Sequence, residues 1–180
     1  MKVTFTMLPT IFQAAPDAIQ ATTSDGPARE FLTFRIGAVA YGIDTLKVQE
    51  ICGYEPPTAM VGAPAFVAGV LNLHGVIVPI VDLRRKFGMT RVEFNHLTVT
   101  VILTLADRVV GAVVDSVSDV VTLTPAQIRP IPEFNTSVGA NFITGIGAPG
   151  RDDQDDMLVL LDVETLMASS DMGLVAQTLQ

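Results

Sequence analysis

The chain is poor in the residues from which active sites are most often built. It has one cysteine, Cys52, and two histidines, His74 and His96. A lone cysteine excludes an internal disulfide framework and suits a reducing cytoplasm. No pair among these three has metal-ligand spacing, and no serine or cysteine stands in a nucleophile context such as Gly-x-Ser-x-Gly. Charge is scarce too, at 17% of residues, and 11 Lys and Arg against 19 Asp and Glu leave a net −8. That balance speaks against non-specific nucleic-acid binding and against attraction to an anionic membrane surface. Apolar residues are plentiful, at 49% of 180. This is enough for one domain with a full core, or for two small halves packed closely together.

The apolar excess is densest in "AMVGAPAFVAGVLNLHGVIVPIVD", residues 59–82, which carries no charge before its last residue. Its length approaches the ~20 residues of a membrane helix. Its contents do not suit one. Pro64 and Pro79 remove backbone donors, Gly62, Gly69 and Gly75 weaken a helix, and Asn72 and His74 fall near the middle. The β-branched run Val76-Ile77-Val78, continued by Ile80-Val81, reads as a strand, and Asn72-Leu73-His74-Gly75 reads as a turn. A buried strand pair joined by a tight turn is expected, with the missing N–H of Pro79 facing an edge or a bulge. At the N-terminus, Thr4, Thr6, Pro9 and Thr10 break the short apolar run a secretory signal would need. Residues 1–29 read as a mobile tail that ends in the loop-like "TTSDGPA".

Comparing the chain with itself reveals a repeat. "FLTFRIGAVAYGIDTLKVQEI" (31–51) lies over "TVILTLADRVVGAVVDSVSDV" (100–120), placing Phe34 over Leu103, Gly42 over Gly111, Val48 over Val117 and Glu50 over Asp119. "FVAGV" (66–70) answers "FITGI" (142–146), and "IVPIVDL" (77–83) answers "MLVLLDV" (157–163). Each copy runs from an alternating strand through a glycine turn to a second strand, then a loop, a Phe-led strand, a hairpin and a last apolar strand. Strands so short and closely spaced suit small barrels. A short helix is expected after each last strand, one from Asp82 to Gly88 and one from Asp162 onward, and "TPAQI" (124–128) suits a single helical turn. Two similar β-barrels side by side are the predicted architecture.

Other candidate chemistry fails on context. "GIGAPG" (145–150) matches Gly-x-Gly-x-x-Gly, but a proline interrupts it and "RDDQDD" and a strand follow, where a dinucleotide needs a helix N-terminus. The aspartates at 152, 153, 155 and 156 resemble a calcium loop, yet Met157 and Leu158 occupy the positions that need oxygen and glycine. They read as a solvated hairpin tip. His74 reads as a turn or interface residue rather than a general base, and Cys52 as a half-buried residue at a strand end. No cofactor and no metal are expected.

"EFLTFRIGAVAYGIDTLKVQEI", "PAFVAGVLNLHGVIVPIVDLRRKFG", "VVGAVVDSVSDVVTLTPAQIRPIPEF" and "FITGIGAP…MLVLLDVETLM" together resemble the CheW family of bacterial chemotaxis coupling proteins, over about residues 30–168. The resemblance implies a mostly β fold of two SH3-like five-stranded β-barrels packed together, with short helices and a C-terminal helix. Barrel one would span about 30–95, barrel two about 96–165, and residues 169–180 a helical tail. It implies a non-catalytic adaptor that couples the cytoplasmic signalling tips of chemoreceptors to the regulatory domain of the histidine kinase CheA. Other CheW-like units in array rings would be further partners. The protein would be cytoplasmic, recruited to membrane-associated arrays, without nucleic acid and without inserting into the membrane.

Carried over by position, the family's receptor and kinase contacts fall on Val48 and Glu50, on Gly69, Asn72, His74, Gly75 and Ile77 around the hairpin, and on Val99, Gly111, Val117 and Val120. Each aliphatic among them is more often core than interface, and Gly69 and Gly111 suit strained backbone. Glu50 is the least ambiguous, because a carboxylate is rarely buried alone. Members of the family usually carry Arg where this chain has His74. Imidazole cannot pair bidentately with a carboxylate, so binding would weaken there or the partner would have changed to suit. A coupler for another receptor system, one governing surface motility or development, differs only in partner identity. A free-standing enzyme would show itself in an activity screen, and a structural protein by failing to bind receptor tips. The chain leaves no room for a phosphoacceptor receiver domain before Gln180.

Overall fold

The computed structural model describes residues 26–132, 141–150 and 157–168. The predicted N-terminal tail up to residue 25, the acidic tip at 151–156 and the C-terminal helical tail at 169–180 lie outside the described residues. Alternation in the sequence becomes strand after strand. Along β1 (Arg29–Ile36), Leu32, Phe34 and Ile36 enter the main core while Phe31 enters a smaller one on the other face. Nine of the remaining strands follow the repeat: β2 (Val39–Asp44), β3 (Val48–Gly53), β4 (Val67–Leu73), β5 (Val76–Asp82), β6 (Val99–Thr104), β7 (Val109–Val114), β8 (Ser116–Leu123), β10 (Ile143–Gly147) and β11 (Leu158–Leu161). The last strand, β9 (Ile128–Arg129), has two residues and follows the single 3₁₀ turn Pro125–Gln127, as "TPAQI" predicted.

The strands form two sheets, ordered β8-β1-β2-β11-β10-β9 and β3-β6-β7-β5-β4. The repeat maps one onto the other. Val48 pairs with Leu103 as Val117 pairs with Phe34. Ile80 runs parallel to Gly111 as Leu160 runs parallel to Gly42. Irregular register recurs at matching places, between Val67 and Gly69 and between Ile143 and Gly145. Even the short β9 has a counterpart, the isolated bridge from Thr58 to Val70. Each sheet also wraps a core of its own: Phe31, Leu123, Leu158 and Leu160 in one, Val78, Ile80 and Val113 in the other. This is a mostly β fold consistent with the two SH3-like barrels expected.

Strand pairing crosses the expected division near residue 95. The sheets are not contiguous blocks of chain: β1 and β2 of the first copy join β8, β9, β10 and β11, while β6 and β7 of the second join β3, β4 and β5. Each copy lends its first hairpin to the other. Sequence comparison shows which strands correspond, but pairing is decided by which edges can bury their backbone groups. Where the strands of the two copies meet in parallel, a glycine lets them approach. A Cβ on Gly42 would stand 3.0 Å from Leu160 Cδ2, and one on Gly111 would stand 3.0 Å from Thr100 Cγ2 and closer still to the Ile80 side chain. The main core lies between the sheets and draws on both, with Leu32, Phe34 and Ile43 facing Val101, Leu103 and Val110. Burial of each such side chain stabilises by ~1.5–3 kcal/mol.

Pro79 sits where the sequence requires. Its partner Val70 sends both its N–H and its C=O to Thr58 at 2.9 Å, so the Val70–Pro79 pair is not hydrogen-bonded to itself. The missing N–H therefore points away from β4, on the side where the ladder with β7 begins one residue later, at Ile80.

Helix α1 (Leu83–Lys86) begins at Asp82, whose Oδ1 accepts the Arg84 N–H at 3.0 Å, and ends before Gly88 at φ +92°. Helix α2 (Val163–Ala168) begins in the same way at Asp162, which accepts the Glu164 N–H at 3.0 Å. Arg84 is fully buried. Its guanidinium forks onto Asp82 with two contacts of 2.9 Å, reaches Asp115 at 3.2 Å and donates to the Glu93 carbonyl at 2.6 Å. The Phe94 ring covers it, 4.6 Å from centroid to Cζ. Burial alone would favour the neutral form, but the bonds to Asp82 and Asp115 outweigh it and hold Arg84 above its ordinary pKa.

Arg84→Met, which strands two carboxylates beside the core, is expected to cost ~3–5 kcal/mol, read as a lowered urea midpoint. Arg84→Lys is expected to recover only part, since an ammonium cannot fork onto Asp82. An unchanged midpoint would mean that the cluster is dispensable. Gly69, at φ +144°, faces the Thr58 carbonyl so closely that an added Cβ would collide with it. Gly69→Ala is expected to destabilise by about 1–3 kcal/mol, while Gly53→Ala, which meets no atom within 4 Å, should leave the midpoint nearly unchanged.

Candidate partner-binding site

Edge strand β3 presents two faces. Val48, Glu50 and Cys52 are half-buried on one, and Gln49, Ile51 and Gly53 are exposed on the other. Facing Glu50 across the open end of the sheet is the β4–β5 hairpin, whose two-residue loop is His74-Gly75 between the paired Leu73 and Val76. Both loop residues have positive φ, +52° at His74 and +87° at Gly75, the pattern of a type I′ turn. Asn72 secures it, its Oδ1 accepting the Gly75 N–H at 2.9 Å. The turn sets His74 Nε2 3.7 Å from Glu50 Oε1. That is within ion-pair range but beyond a hydrogen bond, and with His74 82% exposed it contributes little.

Beneath this contact lies a cleft of about 220 Å³. Glu50 and Cys52 line one side, and their cross-strand neighbours Ile102 and Thr100 line the floor. Leu71 and Leu73 of β4 form the opposite wall, and Glu55 stands at the rim. The Cys52 thiol is pushed up in pKa, first by burial, then by the neighbouring Glu50 carboxylate and by Glu55. It therefore stays protonated and is a poor nucleophile. Among the described residues no three His, Cys, Asp or Glu side chains are placed to hold a metal ion, and no helix is long and apolar enough to cross a membrane.

The remaining predicted site residues divide. Ile77 and Val76, 62% and 56% exposed, stand on opposite faces of β5 beside the turn, and Val120 is exposed on β8, the edge of the other sheet. Val48, Val99 and Val117 are half-buried against the main core. Gly69 and Gly111 are buried, and both shape the sheet, as described above. Asn72 and Gly75 build the turn. The structure thus gathers Glu50, His74 and Ile77 at one corner and leaves Val117 and Val120 on the other sheet. Cys52 had a readable signal, since it follows Glu50 at the strand period of two, whereas Glu55 lies beyond the end of β3 and off that period. Thr100 and Ile102 had none, because they reach the cleft only through the exchanged strand β6.

A family model described as a CheW-like domain matches residues 30–171. The chain is 50% identical over 147 residues to a chemotaxis protein CheW of Klebsiella aerogenes, covering 82% of this chain and 86% of the relative. It is 35% identical over 143 residues to a probable chemotaxis protein CheW of Rhizobium etli, covering 79% and 90%. Among solved structures it is similar to the scaffolding protein TtCheW of Thermoanaerobacter tengcongensis, at a TM-score of 0.70 and 24% identity, covering 81% of this chain and 96% of that one. The last likeness bears on the fold alone.

The turn makes a direct prediction. Asn is the preferred first residue of a type I′ loop, so His74→Asn should keep or raise thermal stability, by a few tenths to about 1 kcal/mol. Gly75→Val should lower it by at least ~1–2 kcal/mol, because a β-branched residue is forced into the left-handed region. Equal melting temperatures for the two variants would rule out this backbone geometry.

Proposed function

The chain belongs to the CheW-like family, and on that premise we propose that it is a non-catalytic adaptor coupling chemoreceptor signalling tips to the histidine kinase CheA. An adaptor needs separate surfaces for separate partners. The observation that carries this reading is the pair of equivalent edge strands, β3 and β8, one on each sheet. Ile51 and Val120 occupy matching positions on them and are 44% and 48% exposed. Apolar side chains standing on unpaired sheet edges are suited to docking other chains. A duplicated, hairpin-exchanged fold offers two such edges held at a fixed relation.

In this reading, one surface meets the helical hairpin of a receptor tip, for which exposed aliphatics such as Ile77 are suited. The other meets the regulatory domain of the kinase or a further CheW-like unit in an array ring. The adaptor would work in the cytoplasm and gather at membrane-associated receptor arrays. The partner surface would comprise Val48, Glu50, Asn72, His74, Gly75, Ile77, Val99, Val117 and Val120, with Gly69 and Gly111 acting only through the shape of the sheets.

Co-sedimentation of the purified protein with a receptor signalling fragment and the kinase from the same organism tests this. Kinase is expected to pellet with receptor only when the protein is present, and poorly with Glu50→Lys or Val120→Glu, both folded by circular dichroism. Absence of recruitment by the folded wild-type chain would overturn the adaptor role for these partners.

A further inference from the structure

The cleft between β3 and the β4–β5 hairpin lacks something its chemistry calls for. Thr100 on its floor is 1% exposed, and its hydroxyl has no hydrogen-bond partner among the described residues. Buried hydroxyls are seldom left so. The same cleft is lined by acceptors, the carboxylates of Glu50 and Glu55, and by the Cys52 thiol. Among the described residues, the only basic side chain lining the cleft is His74, whose Nε2 lies 3.7 Å from Glu50 Oε1. The wall opposite Glu50 is apolar, formed by Leu71 and Leu73.

We propose that this cleft receives an arginine side chain from a binding partner, its guanidinium between Glu50, Glu55 and the Thr100 hydroxyl. The proposal rests on the adaptor reading for the source of the arginine. A guanidinium presents five donors in a plane and sheds water more readily than an ammonium, which matches a partly enclosed set of acceptors. The methylene stem suits Leu71 and Leu73, as long basic side chains lay their stems along apolar surface. The repeat supplies a comparison within the molecule. The equivalent cavity in the other sheet, about 340 Å³, has Thr33 for Ile102, Val121 for Cys52, and Pro149 and Gly150 for Leu73 and His74. Its described lining includes the cation Arg35 and no carboxylate. Among the described residues, carboxylates line the cavity of one copy and not that of the other.

The full chain, isotope-labelled, can be titrated with N-acetyl-arginine amide and with the citrulline counterpart, which keeps the shape and loses the charge. Saturable amide shifts confined to Glu50, Cys52, Glu55, Leu73 and Thr100 are expected with the first probe only. Glu50→Gln with Glu55→Gln should weaken binding on the order of tenfold or more. His74→Arg, which places a permanent cation beside Glu50, should weaken it as well. No saturable shift, or an equal response to citrulline, would overturn the proposal. These outcomes do not depend on recruitment of kinase by the wild-type chain, so the arginine cleft and the adaptor role can fail separately.

Discussion

Two short parallel ladders join the repeats: Ile80 beside Gly111 and Leu160 beside Gly42. Each lies where the last strand of one copy meets the borrowed hairpin of the other. Parallel strands cannot be joined by a tight turn, so such a contact must come from distant chain. The glycines make it possible, because any larger side chain would press on the Ile80 or Leu160 side chain. Once the ladders are in place, the sheets are committed to facing each other across the main core. The cleft at Glu50 then follows, since Thr100 and Ile102 belong to the lent strand β6 and line it only because β6 lies against β3.

The elements were legible because their causes are local. Alternation gave β1, β6 and β7, and turn residues gave the hairpin at His74-Gly75. Capping chemistry gave helices beginning at Asp82 and Asp162, and the repeat gave the correspondence of Gly69 with Gly145, down to the shared irregularity in register. What could not be read was pairing between copies. Two strands with the same pattern are equally good partners by sequence, and only competition between edges decides. Of the site, Glu50 and His74 were found, but their neighbours across β6 were hidden by the exchange. Gly69 and Gly111 look the same in sequence whether or not they make room for a neighbour, and both have one at close range.

Arg84 marks a second kind of information the sequence held without displaying. "DLRRKFG" reads as a capped helical turn, in which a run of basic residues suggests a solvated face. Instead the first arginine turns inward and ties three segments together: the end of β5 through Asp82, the residue after β7 through Asp115, and the loop before β6 through the Glu93 carbonyl. Asp115 carries the tie one step further, accepting the Gly37 N–H of the β1–β2 turn at 2.7 Å. One buried cation thus reaches the borrowed hairpin as well as its host sheet, and burial is tolerated because both carboxylates and a carbonyl surround it.

The lending of hairpins has a consequence for biosynthesis. On the ribosome β1 and β2 emerge well before β11, the strand that flanks β2. The edge of β1 waits likewise for β8. A nascent first copy can close its own hairpins but cannot complete either sheet, so native folding is held back until β11 has been translated. Unpaired edges exposed for that interval make the nascent chain a natural client for holding chaperones. A ribosome stalled near residue 95 would display a polypeptide with no stable structure to adopt, marking truncated products for proteolysis rather than for assembly.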